Sequence, residues 1–425
     1  MIRPHMIPQT RKINLADAVF GGVIFLLAPI GLFAPKATVL LLIVAALNWF
    51  IGGEFSGSKL SSIPRLPFAG LAVLLVWSLL SSFWSVDMML SLKLIAPLAA
   101  LLAIGLFAMS FQPQDQIQFQ NFLMAGFILA IALLIFEAST GNWLTRTGRS
   151  LQWVEIYDGY SSGYNVDAIL KNGVVILTLL IWPTVGILWR RKMLLIPISL
   201  LIALLLLAVN YNAKTSILAI FTGIISITAA HFSNRFTARI LAIAFVIGMM
   251  ATPFLTGLFL TSSDNQKILR YAKSINLPSS AVNRLITWKF VVKNIGEKPV
   301  LGWGGNSSKS IPGGNDKYIL RDMSTDGKGA IVFKDFYLPL HPHNSPLQIW
   351  LELGGVGAII VALFGGILLW RIGGNTGPEN PWLIGTTVAI LMFSLLSFGV
   401  WQNWWIAAQF LTLISIFAAM KEPRN

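Results

Sequence analysis

The sequence predicts an all-α polytopic integral membrane protein with about twelve transmembrane helices and one long loop outside the bilayer. Three observations carry that prediction. Of 425 residues, 55% are hydrophobic and only 11% charged, against about 25% charged in soluble domains, and the mean hydropathy is +0.72. The apolar residues fall in blocks of roughly 20, the length a helix needs to cross the hydrocarbon core. The remaining polar residues gather in one stretch late in the chain.

In chain order, Arg3, Arg11 and Lys12 precede an apolar run that ends near Phe33. The run is long and no small-residue cleavage site follows it, so it reads as an uncleaved first helix rather than a signal peptide. Further spans are expected near 37–52, 66–84, 92–110, 118–138, 168–189, 193–210, 213–231, 238–260, 346–370, 381–399 and 401–420. The chain thus divides into residues 1–260 with helices one to nine, a loop at 261–345, and residues 346–425 with helices ten to twelve.

Orientation follows from the basic residues. A cytoplasmic N-terminus puts thirteen Lys and Arg inside: Arg3, Arg11, Lys12, Lys59, Arg65, Arg190, Arg191, Lys192, Arg235, Arg239, Arg371, Lys421 and Arg424. Six lie in short outer segments, namely Lys36, Lys93, Arg146, Arg149, Lys171 and Lys214. This bias predicts that both termini are cytoplasmic and that the long loop faces outward. The loop, Thr261 to Ser345, holds twelve Lys and Arg against six Asp and Glu, but loops longer than about 60 residues escape the rule. With the formal charge of +14 split among loops, nucleic acid is not an expected partner; membrane lipids are. There is no cysteine, hence no disulfide framework and no thiolate site.

The long loop opens with a basic amphipathic segment, Asn283 to Lys289. Leu285, Trp288, Val292 and Ile295 form one apolar stripe, which predicts a helix resting on anionic headgroups. Ser279 or Ser280 can cap its start, and Gly296 followed by Pro299 can end it. Arg284, one turn before Trp288, can meet phosphate oxygens with both arms of its guanidinium; the plainer alternative is a headgroup contact. The loop closes on His341-Pro342-His343-Asn344-Ser345-Pro346. Ser345-Pro346 reads as N-cap and first residue of the tenth span, which puts His343 just before a positive helix end. There an imidazole tends to stay neutral and able to accept a proton; the plainer alternative is a histidine bonded to a carbonyl.

Other motifs point less far. His341 and His343 suggest a metal, but no carboxylate cluster or HExxH spacing accompanies them, so no metal is expected. Gly302 to Ser310 ends in Lys-Ser after glycines, yet Ser308 stands where a phosphate loop needs glycine, and the stretch reads as a flexible turn. Lys214 follows the tight turn Asn210 to Ala213 at a predicted membrane edge, where it can snorkel to headgroups or mark a site.

In order and spacing, these motifs resemble the O-antigen ligase and O-antigen polymerase superfamily of bacterial envelope glycosyltransferases. The resemblance rests on Lys214-Thr215-Ser216, Asn283 to Trp288, Pro299 to Gly304, His343 to Gln348 and Glu352-Leu353-Gly354. It implies a bacterial inner-membrane enzyme that takes a glycan from undecaprenyl diphosphate on the periplasmic side. By the same resemblance Arg284 engages the donor's diphosphate and His343 is the catalytic histidine. The family commonly has arginine after the serine near the eighth span, whereas this chain has Lys214 before Thr215; lysine can assist at the diphosphate without a bidentate fork. The Lys171-Asn172-Gly173 turn also resembles the family, without a role.

The scheme these parts imply is an inverting displacement in which His343 accepts the proton of an acceptor hydroxyl and the fixed cations stabilise the departing diphosphate. No cofactor is expected. A ligase would use a lipid A–core hydroxyl and a polymerase the growing glycan, while related enzymes glycosylate protein. The competing class is a transporter of a lipid-linked glycan or anion. Such proteins place ionisable groups at mid-membrane and show repeated halves, and neither pattern is visible here.

Overall fold

A computed structural model describes residues 15–51, 65–150, 166–322, 330–374 and 377–420. Among them are fourteen α-helices and one β-hairpin. Eight helices are long and apolar enough to cross a membrane, and three shorter ones are also apolar. The protein is therefore an all-α multi-pass membrane protein, as composition predicts. Of the basic residues used for orientation, Arg3, Arg11, Lys12, Lys59, Lys421 and Arg424 lie outside the described residues.

The apolar helices are α1 (Leu15–Phe33), α2 (Thr38–Ile51), α3 (Arg65–Ser81), α4 (Met88–Ser110) and α5 (Gln116–Ser139). A short amphipathic α6 (Trp143–Ser150) follows, then α7 (Val166–Arg190), α8 (Leu195–Asn210) and α9 (Lys214–Leu260). Asp87 and Asp115 start α4 and α5 by accepting from Leu90 N–H (2.9 Å) and Gln118 N–H (3.0 Å), as N-cap carboxylates do.

One form differs from expectation. The stretches 213–231 and 238–260 are two arms of the 47-residue α9, jointed at Ser233 with φ −156° and ψ 94°. The connection between them holds neither glycine nor proline, so the helix resumes after one non-helical residue instead of opening into a loop.

The core lies along α7, which is buried at every position from Gly173 to Leu188, whereas most residues of α9 are exposed or half-buried. Gly173 allows this packing: a Cβ there would come within 2.7 Å of the Leu32 backbone on α1. The Lys171-Asn172-Gly173 motif is thus part of a helix, and its glycine serves close helix approach.

Between Leu260 and Ser345 stand α10 (Asn265–Ser274) and α11 (Ser279–Glu297), followed by the hairpin β1 (Lys317–Asp322) and β2 (Ala330–Phe336). The strands pair antiparallel with a bulge between Leu320 and Arg321. The all-α reading passed over them, although Tyr318 and Leu320 are buried while Ile319 between them is exposed, the alternation of a one-sided strand.

Helix α11 corrects two expectations. Its N-cap is Pro278, and neither Ser279 nor Ser280 caps it through a side chain. It also packs against α9 and α12 (Ser345–Ile372) instead of exposing one apolar stripe: Ile286, Val291 and Ile295 are buried, while Leu285, Trp288 and Val292 are half-buried. Apolar side chains meet it on more than one side, so the stripe read from spacing is only part of its contact surface. The bundle ends with α13 (Asn380–Leu396) and α14 (Asn403–Met420).

Candidate active site

The start of α12 sets the geometry. Asn344, not Ser345, is the N-cap, with extended φ −152° and a side chain that accepts from Leu347 N–H at 2.9 Å. Pro346 is consequently the second helical residue, where its missing N–H still costs nothing. His343 immediately precedes the cap, as the sequence predicts, and adopts a left-handed φ of 54°.

That turn aims the ring at the connection between α13 and α14. His343 Nδ1 lies 2.6 Å from the Ser397 carbonyl oxygen. A carbonyl only accepts, so Nδ1 carries the proton and Nε2 keeps its lone pair. Burial pushes the His343 pKa below the ordinary imidazole value; the Ser397 bond works against this shift, and the Arg284 charge adds to it.

His341 stands beside it, with ring centroids 4.3 Å apart. Its Nδ1 accepts from His343 N–H at 3.2 Å, and its Nε2 faces the Gln402 amide at 3.1 Å. Burial, then His343 and Lys309, hold its pKa down to about 3. Among the described residues no third His, Asp or Glu joins the pair in a metal-binding group.

The connection Ser397–Gln402 is held at successive points. Gln348 Oε1 accepts from Val400 N–H at 3.0 Å, and the Trp401 indole N–H donates to Glu352. Ser397 Oγ donates to Thr215 Oγ1 at 3.1 Å, which ties the start of α9 to the same segment.

Glu352 is fully buried on α12. Its carboxylate also accepts from Ser308 Oγ, from Gln348 Nε2 at 3.0 Å and from Asn306 N–H at 2.6 Å. One side chain therefore joins α12, the glycine-rich loop and the 397–402 segment.

The glycine-rich loop locks onto a break in the helix. Gly354 has φ 68° and ψ −171°, a region essentially reserved for glycine. The break leaves carbonyls of α12 without helical partners, and Trp303 N–H takes that of Leu351 (2.9 Å), Gly304 N–H that of Glu352 (2.8 Å) and the Trp77 indole that of Leu353 (3.1 Å). Gly302 must be bare, because a Cβ would sit 2.5 Å from Glu352 O and Gly354 N. The flexible-turn expectation for Gly302 to Ser310 is thus corrected: Gly305 N–H donates to Ser81 Oγ, Ser91 Oγ to the Gly305 carbonyl, and Ser307 and Ser308 are buried.

Arg284 sits on α11, half-buried and without a hydrogen bond or ion pair among the described residues. Burial lowers its pKa, and its charge acts on His343. The Trp288 indole donates to the Pro342 carbonyl at 2.8 Å, which fastens α11 to the histidine turn. Asn283 donates to Asp335 and accepts from the Tyr318 hydroxyl, securing the other side of the helix to the hairpin. Lys214 is exposed at the first residue of α9. It reaches this neighbourhood through the adjacent Thr215, with no hydrogen bond of its own among the described residues.

Residues 198–362 match the family model described as O-antigen ligase. A Rickettsia bellii protein named "Putative polysaccharide ligase" is 29% identical over 356 residues, covering 82% of this chain and 78% of that one. Proteins of the same description from Rickettsia conorii and Rickettsia felis are 28% and 27% identical, covering 80% of this chain each and 76% and 77% of their own lengths. Over these stretches the chain is similar to the O-antigen ligase family model and to proteins named as polysaccharide ligases. Lys214, Arg284, His343 and Glu352 all lie inside the region matched to the O-antigen ligase model; the segment that holds His343 lies beyond it.

Sequence reading missed Ser397, Gln402 and Lys309 as site residues, and it quoted Gln348 and Glu352 only within motifs, without a role. Gln348 and Glu352 did leave a signal, since two polar residues at i and i+4 in an apolar span require partners. Lys309 left none, because its nearness to His341 is a product of the folded loop.

Proposed function

We propose that the protein is an O-antigen ligase-like glycosyltransferase that moves a glycan from undecaprenyl diphosphate to a lipid A–core hydroxyl, working without a metal and with inversion. The observation that carries the reading is the Nδ1 bond of His343 to the Ser397 carbonyl at 2.6 Å, because it leaves Nε2 as a proton acceptor. In the proposed reaction the acceptor oxygen attacks the anomeric carbon and gives its proton to Nε2, and the bond to the diphosphate oxygen breaks on the opposite face. The partly buried Arg284, unpaired among the described residues, would stabilise the departing charge more strongly than an exposed cation could, with Lys214 assisting at the membrane edge.

The site faces the periplasm of the bacterial inner membrane in this reading, with both termini cytoplasmic, and the loop at 261–345 carries the catalytic elements. A polymerase would use the same donor and extend a growing glycan. Transport ranks below transfer because Arg284 and Lys309 stand close enough to act on the histidine pair, whose His343 ring is oriented by the Ser397 carbonyl.

The test is complementation of two bacterial strains, one lacking its ligase and one its polymerase, read from the lipopolysaccharide ladder. Ligase function restores the attached ladder in the first strain alone, and His343→Ala restores nothing while the protein stays inserted and abundant. Rescue of the second strain alone would reassign the acceptor. Purified enzyme should keep its rate in chelator, whereas loss reversed by a divalent ion would overturn the metal-free scheme.

A further inference from the structure

Arg235, Arg239 and Arg371 line one pocket of about 340 Å³ with Trp370 and Gly374. The first two lie on α9 just past the Ser233 joint, and the third lies in the last turn of α12. Among the described residues none of the three side chains has a hydrogen bond or ion pair; Arg239 stacks over Trp370, its guanidinium carbon 4.8 Å from the ring centroid. Helix α12 begins beside His343 and runs for 28 residues, on the order of 40 Å at 1.5 Å per residue, so the pocket is at the opposite end of the bundle from the candidate active site.

We propose that this pocket binds the phosphate of an anionic phospholipid headgroup. Guanidinium groups match phosphate oxygens in pairs, and an aromatic face supports one of them here. The bias of basic residues toward one side of a membrane accounts for arginines at this level. It does not account for three from two helices around one void with no protein acceptor among the described residues. Phe232, Phe236 and Ile240 on α9 and Ile367 and Trp370 on α12 are exposed nearby along the same helices. Acyl chains would cover such side chains, whereas a free phosphate ion shares the headgroup's charge but has nothing to lay against them. The proposal is independent of the donor and acceptor assigned above.

Native mass spectrometry of the full-length protein with dihexanoyl phosphatidylglycerol, dihexanoyl phosphatidylcholine and inorganic phosphate tests it. The wild type should retain phosphatidylglycerol in preference to phosphatidylcholine, with the preference falling roughly fivefold for each arginine removed, to near zero in the Arg235→Gln, Arg239→Gln, Arg371→Gln triple variant. Arg371→Gln alone, which removes an exposed side chain, gives the single-step loss should the triple variant not fold. Equal retention by wild type and Arg371→Gln would overturn the proposal. So would displacement of the lipid by an equal concentration of inorganic phosphate, which would mark a small-anion site.

Discussion

A half-buried arginine whose charge acts on a neighbouring histidine holds both groups in one state. Arg284 keeps its full charge with no protein acceptor among the described residues, and that charge, after burial, helps keep His343 unprotonated. Arg284→Lys should lower kcat at least tenfold if the two-armed fork meets phosphate oxygens; a near-normal rate would identify the residue as a headgroup anchor. The transfer rate should also hold as pH falls through 6.5, since His343 titrates below that ordinary value, and a rate halved at 6.5 would count against it as the base. Stability follows the same residues. His341, with its pKa near 3, binds fewer protons folded than unfolded between that value and 6.5. Its contribution is therefore complete above 6.5 and lost as pH falls toward 3, at up to about 1.4 kcal/mol per pH unit. Thermal melts across that range should show the slope, and His341→Gln should flatten it.

At the scale of the element, the break in α12 is built by glycines that no side chain can replace. Gly354→Ala would place a Cβ 2.2 Å from the Val300 carbonyl oxygen at a φ of 68°, and the strained backbone alone costs about 1–3 kcal/mol. A fall in melting temperature or in the yield of inserted protein measures the loss. Gly296→Ala on α11 meets nothing within 4 Å and should be neutral or stabilising by about 0.5–1 kcal/mol. The contrast explains how much was legible beforehand. Most apolar helices and the position of His343 follow from local patterns of apolar and capping residues; the departures are the merger of two expected spans in α9 and the shift of two caps, to Asn344 and Pro278. Glu352 and the glycine-rich loop were not legible as a unit, because the bonds that join them link residues more than forty apart and several use main-chain atoms that no side-chain pattern marks. The packing of α11 was hidden for a related reason: spacing shows which face is apolar, not how many neighbours arrive to cover it.

For the molecule as a whole, one end of the bundle gathers Thr215, Arg284, the two histidines and the 397–402 segment, and the other gathers three arginines. The absence of cysteine makes this polarity directly testable. A single cysteine placed at the exposed Lys309 should react with a membrane-impermeant maleimide in cells with a permeabilised outer membrane, while one at Arg371 should react only after the inner membrane is opened. The reverse pattern would invert the proposed topology. Finally, the imidazole is aimed by a peptide carbonyl contributed 54 residues downstream, past the point where likeness to the family model stops at 362. A backbone oxygen has no letter in an alignment, so position 397 can drift in identity, yet adding or deleting one residue between α13 and α14 would swing that oxygen away. What descent must preserve there is a length, and an alanine scan of the segment would pass over it in silence.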